Sequence, residues 1–342
     1  MWTDSGYVYA KASWIIGKSF LGKRLALLSG LHTLNELDRL IFPEYHRELP
    51  GRELLADMEK RIMERAVRRI LSVVNSFTEP PRLLVRMIKG FEYSDLKDCL
   101  SHIANGKKEL PVISNIGRFK SIHYEHFPDI ANMIKRTEFE TVLAGEIKSI
   151  MPGMDLTAAD IKLDYDFYQG LIESLSQLSD EDRDVAARVL ASEISLRNCV
   201  WALRLRTYYQ KNELETAKYL MHFKLHENIY QKRSDLAGAA KASLDMSLDI
   251  RKDWNGWRWE RFLNAEESAV HWSVDPRHFQ NAASQYLYHL AFHNFHSLPM
   301  SVSSIFCFIK LIQFEEDLLT SIAEGLSLGM DSTAVYKLLE AA

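Results

Sequence analysis

Apolar residues recur at helical spacing over nearly the whole of this 342-residue chain, and this pattern is what most constrains its fold. The clearest stretch runs from residue 57 to residue 77, where apolar side chains return every three or four positions. They are Met58, Ile62, Ala66, Ile70, Val73, Val74 and Phe77. Residues 180–208 and 211–233 repeat the pattern, whereas the alternation typical of strands is scarce. The sequence therefore predicts an all-α protein.

The length of the chain exceeds what a single compact core usually holds, so we expect two or three lobes. A weak internal similarity points the same way. The segment from Glu92 to Leu100 resembles the segment from Ser192 to Val200, at an offset of 100 residues. Such a similarity indicates a helical unit of roughly one hundred residues that is used more than once.

Charge and hydropathy exclude several classes of protein. A formal charge of −4 and an isoelectric point near 6.3 provide no general attraction to nucleic acid or anionic lipid. The most apolar stretch, residues 304–312, is interrupted by Lys310 and is far shorter than the roughly 20 residues of a membrane span. The N-terminus lacks the basic and apolar regions of a signal peptide, and three unpaired cysteines suit a reducing compartment. We expect a cytoplasmic location.

Few residues of the sequence could catalyse a reaction or bind a cofactor or metal. Phosphate-binding glycine motifs are absent, and we expect no bound cofactor or nucleotide. His289 and His293 are spaced to share one helix face, as two metal ligands would be, but no carboxylate or thiol completes a site at ligand spacing. We interpret them as structural histidines and expect no metal and no catalytic residue. A helical metalloenzyme using His289 and His293 is the alternative.

Two further clusters allow a structural and a binding interpretation. Three tryptophans, Trp254, Trp257 and Trp259, fall within six residues and suit either core packing or a patch that faces a partner. The basic run from Lys60 to Arg69 alternates with glutamates. It suits a solvated helix face, or a contact with an acidic partner.

Four segments, taken in order, resemble a known family. They are Tyr7–Lys11 followed by Leu34–Leu37, Asp95–Lys97 followed by Gly106–Lys107, Asn198–Arg206, and Phe314–Met330. Their order and spacing are similar to those of the C subunits of V/A-type rotary ATPases, the family of the eukaryotic V-ATPase d subunit. The chain departs from the family pattern at Ser13, and at Leu318 and Thr320, where family members often carry arginine.

This resemblance implies three similar helical lobes arranged as a funnel with approximate threefold symmetry. The implied repeats are residues 1–88, 89–190 and 191–342, the last with the closing helices. The implied function is that of a non-catalytic central-stalk subunit that couples the D–F rotor shaft to the membrane rotor ring, for transport of protons or sodium ions. The expected partners are the D and F subunits and the ring subunits, without nucleic acid or a small-molecule substrate. The chain would be peripheral to the membrane, which it would contact only through the ring.

The family register pairs Asp95 with Asn198, and the resemblance places the helices around them near the shaft. The candidate partner contacts are Asp95, Lys97, Asn198, Arg204 and Arg206. For the two arginines, the internal alternative is a helix cap or a salt bridge within one lobe. A helical adaptor unrelated to rotary ATPases is the remaining alternative for the whole chain.

Overall fold

The computed structural model of the protein describes residues 2–44, 49–146, 150–223, 240–266 and 271–330. Helices and short 3-10 turns form all the regular structure of these ranges, which contain no strand. The prediction of an all-α protein is thus confirmed. The helices are α1 (Trp2–Lys18), α2 (Leu34–Ile41), α3 (Gly51–Val74), α4 (Arg82–Ala104), α5 (Ile130–Met133), α6 (Glu138–Val142), α7 (Thr157–Ser174), α8 (Asp180–Tyr209), α9 (Glu213–Ala217), α10 (Lys241–Asp245), α11 (Pro276–Ser297) and α12 (Val302–Ser327).

Local sequence signals explain where the long helices begin and end. The Ser179 side chain caps α8 by accepting from the backbone N–H of Asp182, and the first turn carries three acidic residues that favour a helix N-terminus. Ser301 caps α12 in the same way, and Pro276 occupies the first position of α11. The α8 helix ends where Gln210 adopts the left-handed conformation with φ of 50°.

The most extensive contacts between long helices are those of α12 with α11 and with α3, of α11 with α8, and of α4 with α7. We group these helices as three pairs, α3 with α12, α4 with α7, and α8 with α11. The α12 helix also runs along α11 and contacts α1, α4 and α8, so it is the central helix of the molecule. The α4–α7 pair is especially close at Gly90, where an added Cβ would lie only 3.0 Å from the Phe167 ring. A residue larger than glycine would therefore require the Phe167 ring to shift.

Each pair contributes one end to a common central core and the other end to an outer core of its own. The central core combines the C-terminal halves of α3, α7 and α11 with the N-terminal halves of α4, α8 and α12, and includes α1. The first outer core joins α2 to the other ends of α3 and α12. The second joins the other ends of α4 and α7 to the segment 122–143. The third joins the other ends of α8 and α11 to the tryptophan segment.

The predicted repeat boundaries fall inside continuous helices. The boundary after residue 88 lies within α4, and the boundary after residue 190 lies within α8. The chain therefore has no loop at either point, and each of these helices passes from the central core into an outer core. The threefold funnel arrangement itself stays a prediction.

The tryptophan segment belongs to the third outer core, as the packing interpretation predicts. Trp254 and Trp259 are fully buried, and the Trp259 indole donates to the Ser195 hydroxyl oxygen at 3.3 Å. Trp257 stacks on Phe279, with ring centroids 5.6 Å apart. The Arg258 guanidinium lies 4.4 Å from the centre of the Trp259 ring, the stacking that an arginine beside tryptophans favours.

Candidate partner-binding cavity

The long helices carry buried polar residues that hold the loops of the outer cores in place. Asp95 on α4 is 4% exposed and accepts hydrogen bonds from the backbone N–H (3.1 Å) and hydroxyl (3.0 Å) of Ser114. Asn198 on α8 is 1% exposed and forms two bonds with the backbone of Met221, accepting at 2.9 Å and donating at 2.8 Å. Both residues thus anchor the segment that follows their own helix.

Because both residues anchor the segment after their own helix, they occupy corresponding positions, as the family register that pairs Asp95 with Asn198 implies. Their role in the structure, however, differs from the predicted one. Both were predicted as partner contacts, but their hydrogen bonds are internal and little of either side chain reaches solvent. A direct contact between either side chain and a partner stays a prediction.

Two buried glutamates also hold neighbouring segments in place, and neither was identified from the sequence. Glu92 on α4 accepts from the backbone N–H groups of Ser121 and Ile122, and pairs with Lys89 at 2.7 Å. Glu315 on α12 accepts from the backbone N–H of Phe20 at 2.8 Å. Glu92 lies in the internally similar segment and Glu315 in the family-like closing helix. Burial, which the sequence does not reveal, is what distinguishes them from surface glutamates.

Glu315 also corrects the interpretation of the basic run as a solvated face. Its carboxylate pairs with Arg65 at 3.1 Å and with Arg69 at 2.6 Å, and both arginines are largely shielded from solvent. Lys60 fits the prediction, since about half of its side chain is exposed. Arginines spaced four apart on α3 therefore face α12, while Lys60 faces solvent.

Arg204 and Arg206, near the end of α8, make contacts within the third outer core. Arg206 donates to the backbone carbonyls of Ser243 and Met246 at 2.7 and 2.8 Å. Arg204 donates to the side-chain carbonyl oxygen of Gln280 on α11 at 2.5 Å. Both contacts are internal to the chain, although the Arg204 contact with a neutral amide is neither the cap nor the salt bridge of the internal alternative. Contact of the two arginines with a shaft stays a prediction.

Lys97 lines both of the open cavities described below and its side chain is 25% exposed, whereas Asp95 and Asn198 line one cavity each and are almost wholly buried. Its ammonium group contacts Asp164 of α7 at 2.8 Å, and the other oxygen of Asp164 contacts Arg197 of α8 at 2.9 Å. One carboxylate thus bridges cations from α4 and α8. We call this group, Lys97, Asp164 and Arg197, the ion bridge.

A second group of ionic contacts ties α8 to α7 and α12 beside the ion bridge. Glu193 of α8 accepts from the Tyr168 hydroxyl at 2.8 Å and pairs with Lys310 of α12 at 2.7 Å. The Arg197 guanidinium lies 5.7 Å from the centre of the Tyr168 ring. Charged residues from α4, α7, α8 and α12, which together represent all three helix pairs, therefore meet at one place.

At this junction lies a cavity of about 530 Å³, which we call the central cavity. Its three cationic residues, Lys97, Arg197 and Lys310, are all engaged in the ion pairs just described. Besides the anchor Asp95 and the paired Asp164 and Glu193, its lining includes three further acidic residues, Asp98, Glu316 and Asp317. None of these three has an ion pair or a hydrogen bond within the described ranges. Burial, together with the neighbouring Asp317 charge, raises the pKa of Glu316 to about 8.

A second cavity of about 530 Å³, the side cavity, lies between α7 and α8 and shares the three ion-bridge residues. Trp201 and Tyr209 line it and remain 41% and 69% exposed. Asp160 lines it too, and one of its carboxylate oxygens is shielded from solvent with no hydrogen-bond partner in the described part of the chain. The two cavities therefore adjoin across the ion bridge.

Within the described ranges, no further ligand joins the two histidines of the alternative metal site. His289 and His293 are exposed on α11, where His289 lies against the Tyr288 ring. Among the residues that the structure describes, no group of three histidine, cysteine or carboxylate side chains could hold a metal ion. All three cysteines are buried thiols, and burial raises the pKa of the Cys99 and Cys307 thiols to about 12. No described helix is long and apolar enough to cross a membrane.

The all-helical fold and its order of motifs agree with a comparison against known families. The model of the ATP synthase (C/AC39) subunit family matches residues 32–338, so the chain belongs to this family. Among individual proteins, it is similar to an uncharacterized protein of Treponema pallidum (strain Nichols). The two are 28% identical over 334 residues, which cover 96% of this chain and 94% of that protein. The suspected relationship to the V/A-type ATPase C subunits is thereby confirmed.

Proposed function

We propose that this chain is a non-catalytic central-stalk subunit that couples the rotor shaft of a V/A-type ATPase to its membrane ring. The D and F subunits would be seated at the central cavity, and the ring subunits would bind the opposite face. The chain would then be peripheral to the membrane and would transmit torque without a reaction of its own. ATP hydrolysis or synthesis would take place in other subunits.

The observation that carries this proposal is the convergence of all three helix pairs on one open, charged cavity in a member of this family. A force applied at that point is shared by α4, α7, α8 and α12, which are joined there by the ion bridge and by the Glu193–Lys310 pair. Each helix continues into an outer core whose loops are held by buried anchors. Such a framework suits a rigid spacer better than a pocket for a small substrate.

Affinity purification from membranes tests the proposal. A tagged copy of the chain, expressed in its native cells, should co-purify with the catalytic A and B subunits, with D and F, and with the ring. Deleting the gene for this chain should separate the D–F-containing soluble part from the ring. A tagged chain that elutes alone, while D and F still co-purify with the ring, would overturn the proposal.

A further inference from the structure

We infer that the central and side cavities together form one groove that binds a basic, arginine- or lysine-bearing protein segment of the partner. The inference rests on the proposed function and specifies the chemistry of the partner at the same site. Its basis is the excess of acidic over cationic residues around the central cavity, together with the unsatisfied Asp160 oxygen and the exposed aromatic residues of the side cavity.

The central cavity lacks positive charge once its internal pairs are counted. Lys97 and Arg197 share the carboxylate of Asp164, and Lys310 is paired with Glu193. Six acidic residues line the cavity against these three cationic ones. Lys97 attracts Asp98 and Lys310 attracts Asp317, but each of these ammonium groups already contacts another carboxylate. A cationic side chain entering the cavity would offset the excess of acidic residues and favour the ionised form of Glu316, whose pKa is raised.

The side cavity supplies an independent indication of a cationic ligand. Asp160 holds a shielded carboxylate oxygen that accepts no hydrogen bond from the described residues. Such an oxygen is costly unless a donor reaches it. Trp201 and Tyr209 stand beside it with large exposed fractions, and tryptophan is the best aromatic platform for a guanidinium or ammonium group.

The chain already uses this chemistry within the side cavity. Lys211, which also lines it, places its ammonium group 5.3 Å from the centre of the Tyr219 ring. A partner arginine could stack on Trp201 and donate to Asp160 in a comparable way. Phosphate groups of lipid or nucleic acid would instead meet the unpaired carboxylates, so the groove favours a basic protein segment.

Spacing also favours one extended ligand over two separate ones. The two cavities share the ion-bridge residues, so a segment that leaves the central cavity across Asp164 enters the side cavity directly. Basic side chains at two points of the segment would reach Glu316 in the first cavity and Asp160 in the second. The apolar stems of those side chains would cover Trp201.

Binding of a purified D–F subcomplex to the whole chain tests the inference. The variant Asp98→Asn/Glu316→Gln/Asp317→Asn removes the unpaired acids, and Glu79→Gln/Glu181→Gln/Asp249→Asn removes three exposed acids outside the groove as a matched control. We expect each groove acid to contribute roughly fivefold at low salt, so the groove variant should bind on the order of 100-fold more weakly. High salt should reduce the difference, and the control should bind like wild type.

A second comparison isolates the aromatic part of the groove. Trp201→Ala should weaken binding roughly tenfold, whereas Trp14→Ala, which removes a 62% exposed tryptophan from α1, should not. Far-ultraviolet dichroism and urea unfolding of each variant show whether its fold is intact.

The outcomes separate the inference from the proposed function. Wild-type chain that fails to bind D–F would overturn the proposed function. Normal D–F binding that is unchanged in both the acid and the Trp201 variants would overturn the inference alone. Equal losses in the groove and control acid variants would do the same, because net charge and not the groove would then govern binding.

Discussion

The buried anchors of the outer cores and the central cavity both use charged or polar side chains on the same long helices, but they balance those groups differently. At the anchors, Asp95, Asn198 and Glu315 each meet specific backbone or side-chain partners. Around the central cavity, Glu316 and Asp317 follow Glu315 directly in sequence yet have no such partner in the described structure. Polar side chains that have partners within the chain stabilise the fold. Polar side chains beside an open cavity that make no internal hydrogen bond are available to bind a partner.

The adjacent pair Glu315 and Glu316 provides the sharpest test of this difference. Glu315→Gln should lower the free energy of unfolding by about 3–5 kcal/mol, because it leaves Arg65 and Arg69 as shielded charges without a counter-ion. Glu316→Gln makes the same chemical change one residue later and should alter stability by less than about 0.5 kcal/mol. Urea unfolding of both variants measures the contrast. Equal losses of unfolding free energy would show that Glu316 stabilises the fold as Glu315 does, which would contradict this distinction.

Removal of the Asn198 anchor should have the next largest effect. Asn198→Ala leaves the backbone N–H and carbonyl of Met221 without their buried partner, so we expect a loss of about 2–4 kcal/mol. Trp201→Ala, three residues along the same helix but exposed to the side cavity, is the control and should cost far less. Thermal and urea unfolding would reveal the difference, and a stable Asn198→Ala protein would contradict the anchoring role.

The Asp95 anchor should make stability depend on pH. Burial raises the pKa of Asp95 to about 7 in the folded state, whereas the unfolded chain releases this proton near pH 4. The contribution of Asp95 is therefore fully present below about pH 4 and is lost as the pH rises towards 7. Asp95→Asn cannot lose a proton, so the stability of wild type relative to this variant should fall by about 2–4 kcal/mol between pH 4 and pH 7. If the unfolding free energies of wild type and Asp95→Asn changed with pH in parallel, the raised pKa of Asp95 would be contradicted.

The ion bridge should contribute least to stability. Lys97 and Asp164 line two cavities that open to solvent, so water that enters the cavities screens their attraction. A double-mutant cycle with Lys97→Met and Asp164→Asn should give a coupling energy of about 1 kcal/mol or less. A coupling as large as the Glu315 effect would mean that the ion bridge belongs with the anchors and not with the binding groove.

The sequence predicts the helical class well because periodic apolar positions persist through each long helix. It leaves core packing and a partner-facing patch open for the tryptophan cluster, and the burial of Trp254 and Trp259 agrees with core packing. It does not predict that Arg65 and Arg69 face Glu315, because a partner 246 residues from Arg69 leaves no local pattern. Asp95 and Asn198 illustrate the same limit. Their correspondence is readable in the family register, but whether a polar side chain points inward depends on tertiary packing.

The central claim is that the cavity at the junction of the helix pairs receives the shaft, and site-specific cross-linking tests it directly. Gln313→Cys places a thiol in the lining of the central cavity, and Asp249→Cys places one on an exposed surface away from it. The three native cysteines are buried, so a photoreactive maleimide should label the new thiols selectively. With bound D–F subcomplex, illumination should join D or F to the label at position 313 and not to the label at 249. Adducts only at position 249, with D–F fully bound, would place the shaft elsewhere.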